Sequence, residues 1–360
     1  MGFIHPPEFT LYHLKKREQR RGRVPLWEPW SDEKLLDMRM CDLAVEIDGT
    51  GLEPYIEQLY QELEAKGIRF RPHFWLSYEW FVPDGVPGIA IPFYLAHPSL
   101  ARLELNQMLE IEGGNPEECM KIMRHEAGHA FENAYALRRV KSLQTLFGPS
   151  TRTKYPTHYF PKPYSRSFVR HIEPFYAQSH PDEDFAETFA VWLTPDSNWQ
   201  KKYRTWPVFE KLQYMDKLIK SLGIQQPIIK SHRQVDSLSK IRKTLRQHYR
   251  KRRKHFGLEH SPYYDHDLLR LFSLDRSSPD SFFAADFLQT IRREARKKVA
   301  EWTGEYQYLI DRVIKEMVQR CEELSLYVSV SPTQLKWDFM IVLTVQTMNC
   351  IHSGRHRVAL

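Results

Sequence analysis

The chain has 360 residues, 42% of them hydrophobic, and a net charge of +7. That length can bury a sizeable core and suits two domains. The four cysteines (Cys41, Cys119, Cys321, Cys350) are scattered without a CxxC or framework spacing, and the longest apolar run, near Phe339 to Val345, is far too short to span a bilayer. The composition therefore excludes a disulfide scaffold and a membrane protein, and predicts reduced thiols. No apolar segment follows the basic residues Lys15 to Arg23, so no secretory signal is read and the expected location is cytoplasmic.

Residues 1–50 are rich in Pro, Trp and Arg and read as an arm wrapped on the domain, with a strand at Asp42 to Ile47. Leu52 to Lys66 places Leu52, Tyr55, Ile56, Leu59, Tyr60 and Leu63 at helical spacing and stops at Gly67, which predicts an amphipathic helix. Strands are predicted at Arg69 to Ser77, Gly88 to Leu95 and Ala101 to Ile111, separated by Pro and Gly turn residues. A helix then runs from Asn115, a capable N-cap followed by Pro116 and Glu118, to about Leu137. Its buried stripe is predicted as Cys119, Met123, Ala127, Ala130, Ala134 and Leu137.

This helix carries His125-Glu126-Ala127-Gly128-His129, an HExxH motif. Residues four apart share a helix face, so His125 and His129 can each offer a ring nitrogen to one metal, with Glu126 beside the water that the metal activates. Gly128 allows a neighbouring backbone to come close. Residues 138–180 form a long connection with Pro149, Pro156, Pro161, Pro163 and Pro174, too aromatic for disorder and expected to lie over the site. It holds eight Lys or Arg, among them Arg166 and Arg170, against the single acid Glu173. Cationic side chains beside a cleft favour acidic peptides or a C-terminal carboxylate, with Arg166 and Arg170 as the expected contacts.

Pro181 opens a second helix, Asp182 to Leu193, stopped by Thr194-Pro195, and a further helix is predicted from Trp206 to Leu222. A catalytic zinc needs a third protein ligand. Glu183 and Glu187 lie one turn apart, so one can bind the metal while the other supports a ligand histidine.

The two motifs together resemble the gluzincin class of zinc metallopeptidases, in particular the lethal-factor-type and putative zinc-binding metallopeptidases, over roughly residues 90–195. The resemblance implies a zincin-like α+β domain, a small sheet packed on the HExxH helix, and one zinc per chain. It implies His125, His129 and Glu183 as metal ligands and Glu187 as the support, where many gluzincins carry Asp. Glu126 becomes the general base, and Tyr176, seven residues before Glu183, faces the developing oxyanion. The implied activity is hydrolysis of peptide bonds in a peptide or protein substrate. The strand at Ala101 to Ile111 is the candidate edge for an extended substrate.

Residues 1–230 hold 29 Lys and Arg against 30 Asp and Glu, whereas residues 231–360 hold 23 against 15, nets of −1 and +8. This shift sets an expected boundary between a metallopeptidase domain, 1–230, and a basic, all-helical domain, 231–360. Helices are predicted there at Val235 to Phe256, Asp265 to Leu271, Pro279 to Trp302, Glu305 to Leu326 and Pro332 to Cys350. Nine Lys or Arg between Lys240 and Lys254 suit a nucleic-acid surface, but no nucleic-acid motif accompanies them, and a solvated helix face is favoured. The rival to the enzyme is a non-catalytic zinc-binding regulatory protein whose basic helical domain contacts an acidic partner or nucleic acid.

Overall fold

A computed structural model describes residues 25–108, 110–149, 153, 155, 162, 164–172, 175–255, 264–276 and 282–352. These fall into two compact units, one running through Gln107 and from Ile111 to His248, the other holding Met108–Glu110 and the chain from Tyr249 onward.

The first unit contains α1 (Asp32–Leu36), α2 (Glu53–Ala65), β1 (His73–Ser77), β2 (Gly88–Pro92), α3 (Pro98–Met108) up to Gln107, α4 (Pro116–Ala134), α5 (Lys141–Phe147), α6 (Pro181–Leu193), α7 (Trp199–Lys202), α8 (Phe209–Leu222) and the first turn of α9 (Leu245–His255), with short 3-10 turns between them. It is mixed α and β, with a small sheet among many helices. The two strands pair in parallel, His73 opposite Gly88 through Ser77 opposite Pro92, and Phe81 bridges the other edge of β2 at Ala90. Asn133 of α4 donates to the carbonyls of Pro83 and Val86, which fixes the turn before β2 against the motif helix.

α4 starts as its sequence dictates. Asn115 accepts from the Glu118 N–H at 3.0 Å, and Pro116 occupies the first turn. All six residues of the expected stripe are buried, and so is nearly every other residue from Cys119 to Ala134. A helix buried all round needs partners on each side. α2 supplies one through a buried ion pair between Glu62 and Arg124, and α6 supplies another.

Two predicted strands are corrected. Ala101 to Ile111 is not a strand: its residues belong largely to α3, where Leu100, Leu103, Glu104 and Met108 are buried at helical spacing and His97 accepts from the Ser99 N–H. The expected substrate edge there is therefore withdrawn. Asp42 to Ile47 is likewise irregular after a 3-10 turn, Met40–Leu43, that ends on Ala44 with φ 49°. In the arm, residues 1–24 lie outside the described residues, while Trp27 is buried and donates its Nε1–H to the Leu43 carbonyl.

The helix expected from Val235 to Phe256 begins only at Leu245. Before it, backbone groups bond to the first unit instead: the Lys243 and Ile241 carbonyls accept from the Met40 and Cys41 N–H groups. The Val235 and Asp236 carbonyls accept from Trp75 Nε1–H and the Ser77 hydroxyl. Residues 231–248 thus sit within the first unit, although the charge break falls near 230.

The second unit is helical: α10 (Asp265–Leu271), α11 (Ala284–Thr303), α12 (Gln307–Glu323) and α13 (Pro332–His352) surround a core that includes Leu288, Ile310, Met317, Phe339 and Leu343. Residues 277–281, in which the predicted start at Pro279 falls, lie outside the described residues. Asp311, almost fully buried, accepts from both Nε and Nη2 of Arg292 and from Arg296, tying α11 to α12. Among the described residues no helix is long and apolar enough to cross a membrane.

Candidate metal centre

α4 and α6 lie close enough at Gly128 that a Cβ there would stand 2.8 Å from the Ala186 Cα and 3.2 Å from the Phe189 Cβ. This approach brings the HExxH face to the first turns of α6. His180 caps α6, its Nδ1 accepting from the Asp182 N–H while its Nε2–H donates to the Thr153 carbonyl. Pro181 follows in the first turn, and Asp182 through Leu193 are buried.

His125 Nε2, His129 Nε2 and Glu183 Oε2 form a buried triangle with edges of 3.0, 3.1 and 3.2 Å. The Nδ1–H of His125 donates to Glu187 Oε1 at 2.8 Å, because a carboxylate oxygen there can only accept. In the neutral ring Nε2 is then a lone pair, facing a second carboxylate oxygen and a second imidazole nitrogen. Ligand atoms this close in a buried site are held together by a shared proton or by a metal cation. Bonds of about 2.0–2.1 Å at tetrahedral angles put zinc ligands about 3.3 Å apart, near the edges found here, and two imidazoles with a carboxylate are a zinc donor set. His125, His129 and Glu183 form a potential metal site, and the residues fit the ion.

The surroundings hold these groups in place. Glu187 accepts the Ile172 N–H at 2.8 Å on its other oxygen, so the connection is stitched to the carboxylate that orients His125. Tyr155 donates its hydroxyl to Glu183 Oε1 at 2.8 Å, and its ring stacks on His180 at 3.8 Å. In the metal-free protein burial opposes the charge on both His125 and Glu183. Mutual hydrogen bonds and charges prevail, holding Glu183 well below the usual carboxylate range and His125 well above the usual imidazole range. Glu126 is buried, which pushes its carboxyl up while the two histidines pull it back.

Tyr176 sits in a 3-10 turn after Phe175, which has φ 66°, and its ring centroid is 5.5 Å from that of His125. Arg166 and Arg170 are exposed, and their guanidinium carbons stand 5.7 and 5.3 Å from the Trp206 ring centroid. Arg170 also stands 5.7 Å from the Phe175 ring. Arg138, from the same basic connection, is committed elsewhere, to Asp84, Glu132 and Asp182. Arg152, Lys154, Pro156, Pro161, Pro163, Glu173 and Pro174 lie outside the described residues. Sequence reasoning did not single out Tyr155 or His180. Neither stands at a spacing that marks it, and only the folded connection brings Tyr155 to Glu183.

Residues 119–203 match the model of a family described as putative zinc-binding metallo-peptidase. The resemblance drawn from the two motifs is borne out over this segment, which contains both of them. No curated protein and no solved structure matches the chain.

The close approach within the matched segment makes Gly128 testable. Alanine there gains about 1 kcal/mol of helix propensity. Its methyl meets backbone, which cannot swing aside, and overpacking costs about 1–3 kcal/mol while pushing α4 from α6. Gly128→Ala is expected to lose net stability in denaturant unfolding and to bind zinc more weakly. A variant that is more stable and binds zinc equally well would show that the two helices adjust freely.

Proposed function

We propose that this chain is a zinc-dependent peptide hydrolase, with one zinc per chain held by His125, His129 and Glu183. The observation that carries the reading is the buried triangle of ligand atoms, set in a segment that matches a family described as putative zinc-binding metallo-peptidase. Zinc in such a site supplies Lewis-acid polarisation and brings the pKa of a water toward about 7.

The chain's own residues would do the rest. Glu126 takes a proton from the attacking water and passes it to the leaving amine, so that the C–O bond forms, the C–N bond breaks and the proton count closes. Tyr176 donates to the carbonyl oxygen as charge develops there, an interaction stronger in the transition state than before it. Glu187 keeps His125 in the tautomer that offers Nε2. The zincin-like catalytic domain is assigned to residues 1–230. The segment 231–248 serves as its structural support, and the helices beyond form a basic partner domain.

Arg166 and Arg170 are assigned to substrate. Two exposed guanidinium groups gather around one indole, a geometry suited to carboxylate recognition, and Arg170 also lies over Phe175, the residue before Tyr176. Matched acidic, neutral and basic peptides, compared at low and high salt, test the reading. Acidic peptides should be cleaved fastest at low salt, and Arg166→Ala with Arg170→Ala should erase the difference. Equal rates on all three, unchanged by the substitutions, would remove the two arginines from recognition. No cleavage of any peptide by zinc-loaded protein would favour the non-catalytic rival.

A further inference from the structure

We propose that Tyr155 is a positioning residue that confines Glu183 to the metal through a single oxygen, an inference that rests on the zinc reading above. Glu183 Oε2 is the oxygen in the triangle, 3.0 and 3.2 Å from the two histidine nitrogens, whereas Oε1 receives the Tyr155 hydroxyl at 2.8 Å. A carboxylate oxygen that accepts a phenol hydrogen bond is held away from a metal on the opposite oxygen, so ligation through Oε2 alone is favoured. A fourth metal position is then left for water or substrate.

Tyr155 is itself held. Its ring lies on His180 with 3.8 Å between centroids and 13° between planes. His180 has both ring nitrogens engaged, one accepting from the Asp182 N–H and the other bonded to the Thr153 carbonyl. The residue that caps α6 thus also carries the tyrosine that orients the ligand on the first turn of α6. Its hydroxyl reaches inward although the residue as a whole is 47% exposed. A phenylalanine can keep the stack and lose only the hydrogen bond.

The test uses the full chain. Apoprotein of the wild type and of Tyr155→Phe is titrated with zinc, and the cobalt(II) forms are compared by visible absorption. Tyr155→Phe should weaken zinc about 10-fold. Its cobalt bands should also lose intensity, as Oε1 swings in and the coordination number rises. The melting temperature of the apoprotein should stay near that of the wild type. His180→Asn keeps a capable N-cap and removes the stacking surface, and should shift both readouts in the same direction. Wild-type zinc affinity and an unchanged cobalt spectrum in Tyr155→Phe would overturn the proposal while leaving the zinc reading intact. A wild-type protein that takes up no zinc would overturn both.

Discussion

Glu126→Gln is expected to retain one zinc per chain and to lose peptide hydrolysis by about 10²–10⁴-fold, the range associated with a positioned general acid–base group. The amide has nearly the shape of the carboxylate, and Glu126 is not one of the three residues of the triangle, so the metal should stay. His125→Ala and Glu183→Ala should behave differently. Each removes one corner of the donor set, and Glu183→Ala also leaves two buried imidazoles and the Tyr155 hydroxyl without their shared carboxylate. Both should lose zinc and activity together. Glu187→Gln should fall between these extremes, weakening zinc about 10–100-fold through the loosened His125 ring. Because zinc must displace the proton that the carboxylates stabilise on His125, affinity in the wild type and in Glu126→Gln should weaken as pH falls. Metal content by atomic absorption, read beside turnover of one peptide, separates the classes. Full zinc retention in Glu183→Ala would hand the third corner to another residue, and undiminished turnover in Glu126→Gln would remove Glu126 from the chemistry.

Much of this site was legible because its signals are local. HExxH places two nitrogens one helical turn apart, whatever the tertiary fold, and Asn115-Pro116 and Pro181 announce the starts of the helices that carry the three residues of the potential metal site. What the sequence could not show was everything set by nonlocal pairing. The Ala101 to Ile111 stretch carries Leu at alternate positions over its start, which suits a strand, yet Leu100, Leu103 and Met108 share a helix face, and the buried side chains favour the helix. The basic run from Lys240 offered a helix face, but part of it serves as a connector. Arg246 is spent on Glu33 and Asp37, more than two hundred positions away, and Lys243 lies 4.7 Å from the Tyr78 ring centroid. Tyr155 was invisible for the same reason: a residue in a proline-rich connection acquires meaning only when the connection folds back on α6.

The largest expected loss of stability comes from a pair that touches no metal ligand. Glu62 of α2 accepts from Nε and Nη2 of Arg124, both at 2.7 Å, with the two side chains 6% and 11% exposed. Arg124 immediately precedes His125, so this fork ties the motif helix to α2 next to the candidate site. Removing one member of a buried pair strands the other charge, which costs about 3–5 kcal/mol, whereas replacing both with apolar residues is often close to neutral. Glu62→Ala should therefore lower the stability of the first unit by that amount, or roughly 6–20 °C in melting temperature at about 2–4 °C per kcal/mol. The double substitution Glu62→Leu with Arg124→Met should recover most of the loss. The coupling between the two positions, taken from the full mutant cycle, then measures the pair free of the packing change at either residue alone. Below the lowered transition, Glu62→Ala should still bind zinc one to one, since neither member of the pair is a corner of the triangle. A loss under about 1 kcal/mol would mean that water reaches the guanidinium when Glu62 is gone. A normally stable Glu62→Ala protein that had lost its zinc would mean instead that the pair positions His125 rather than the helix.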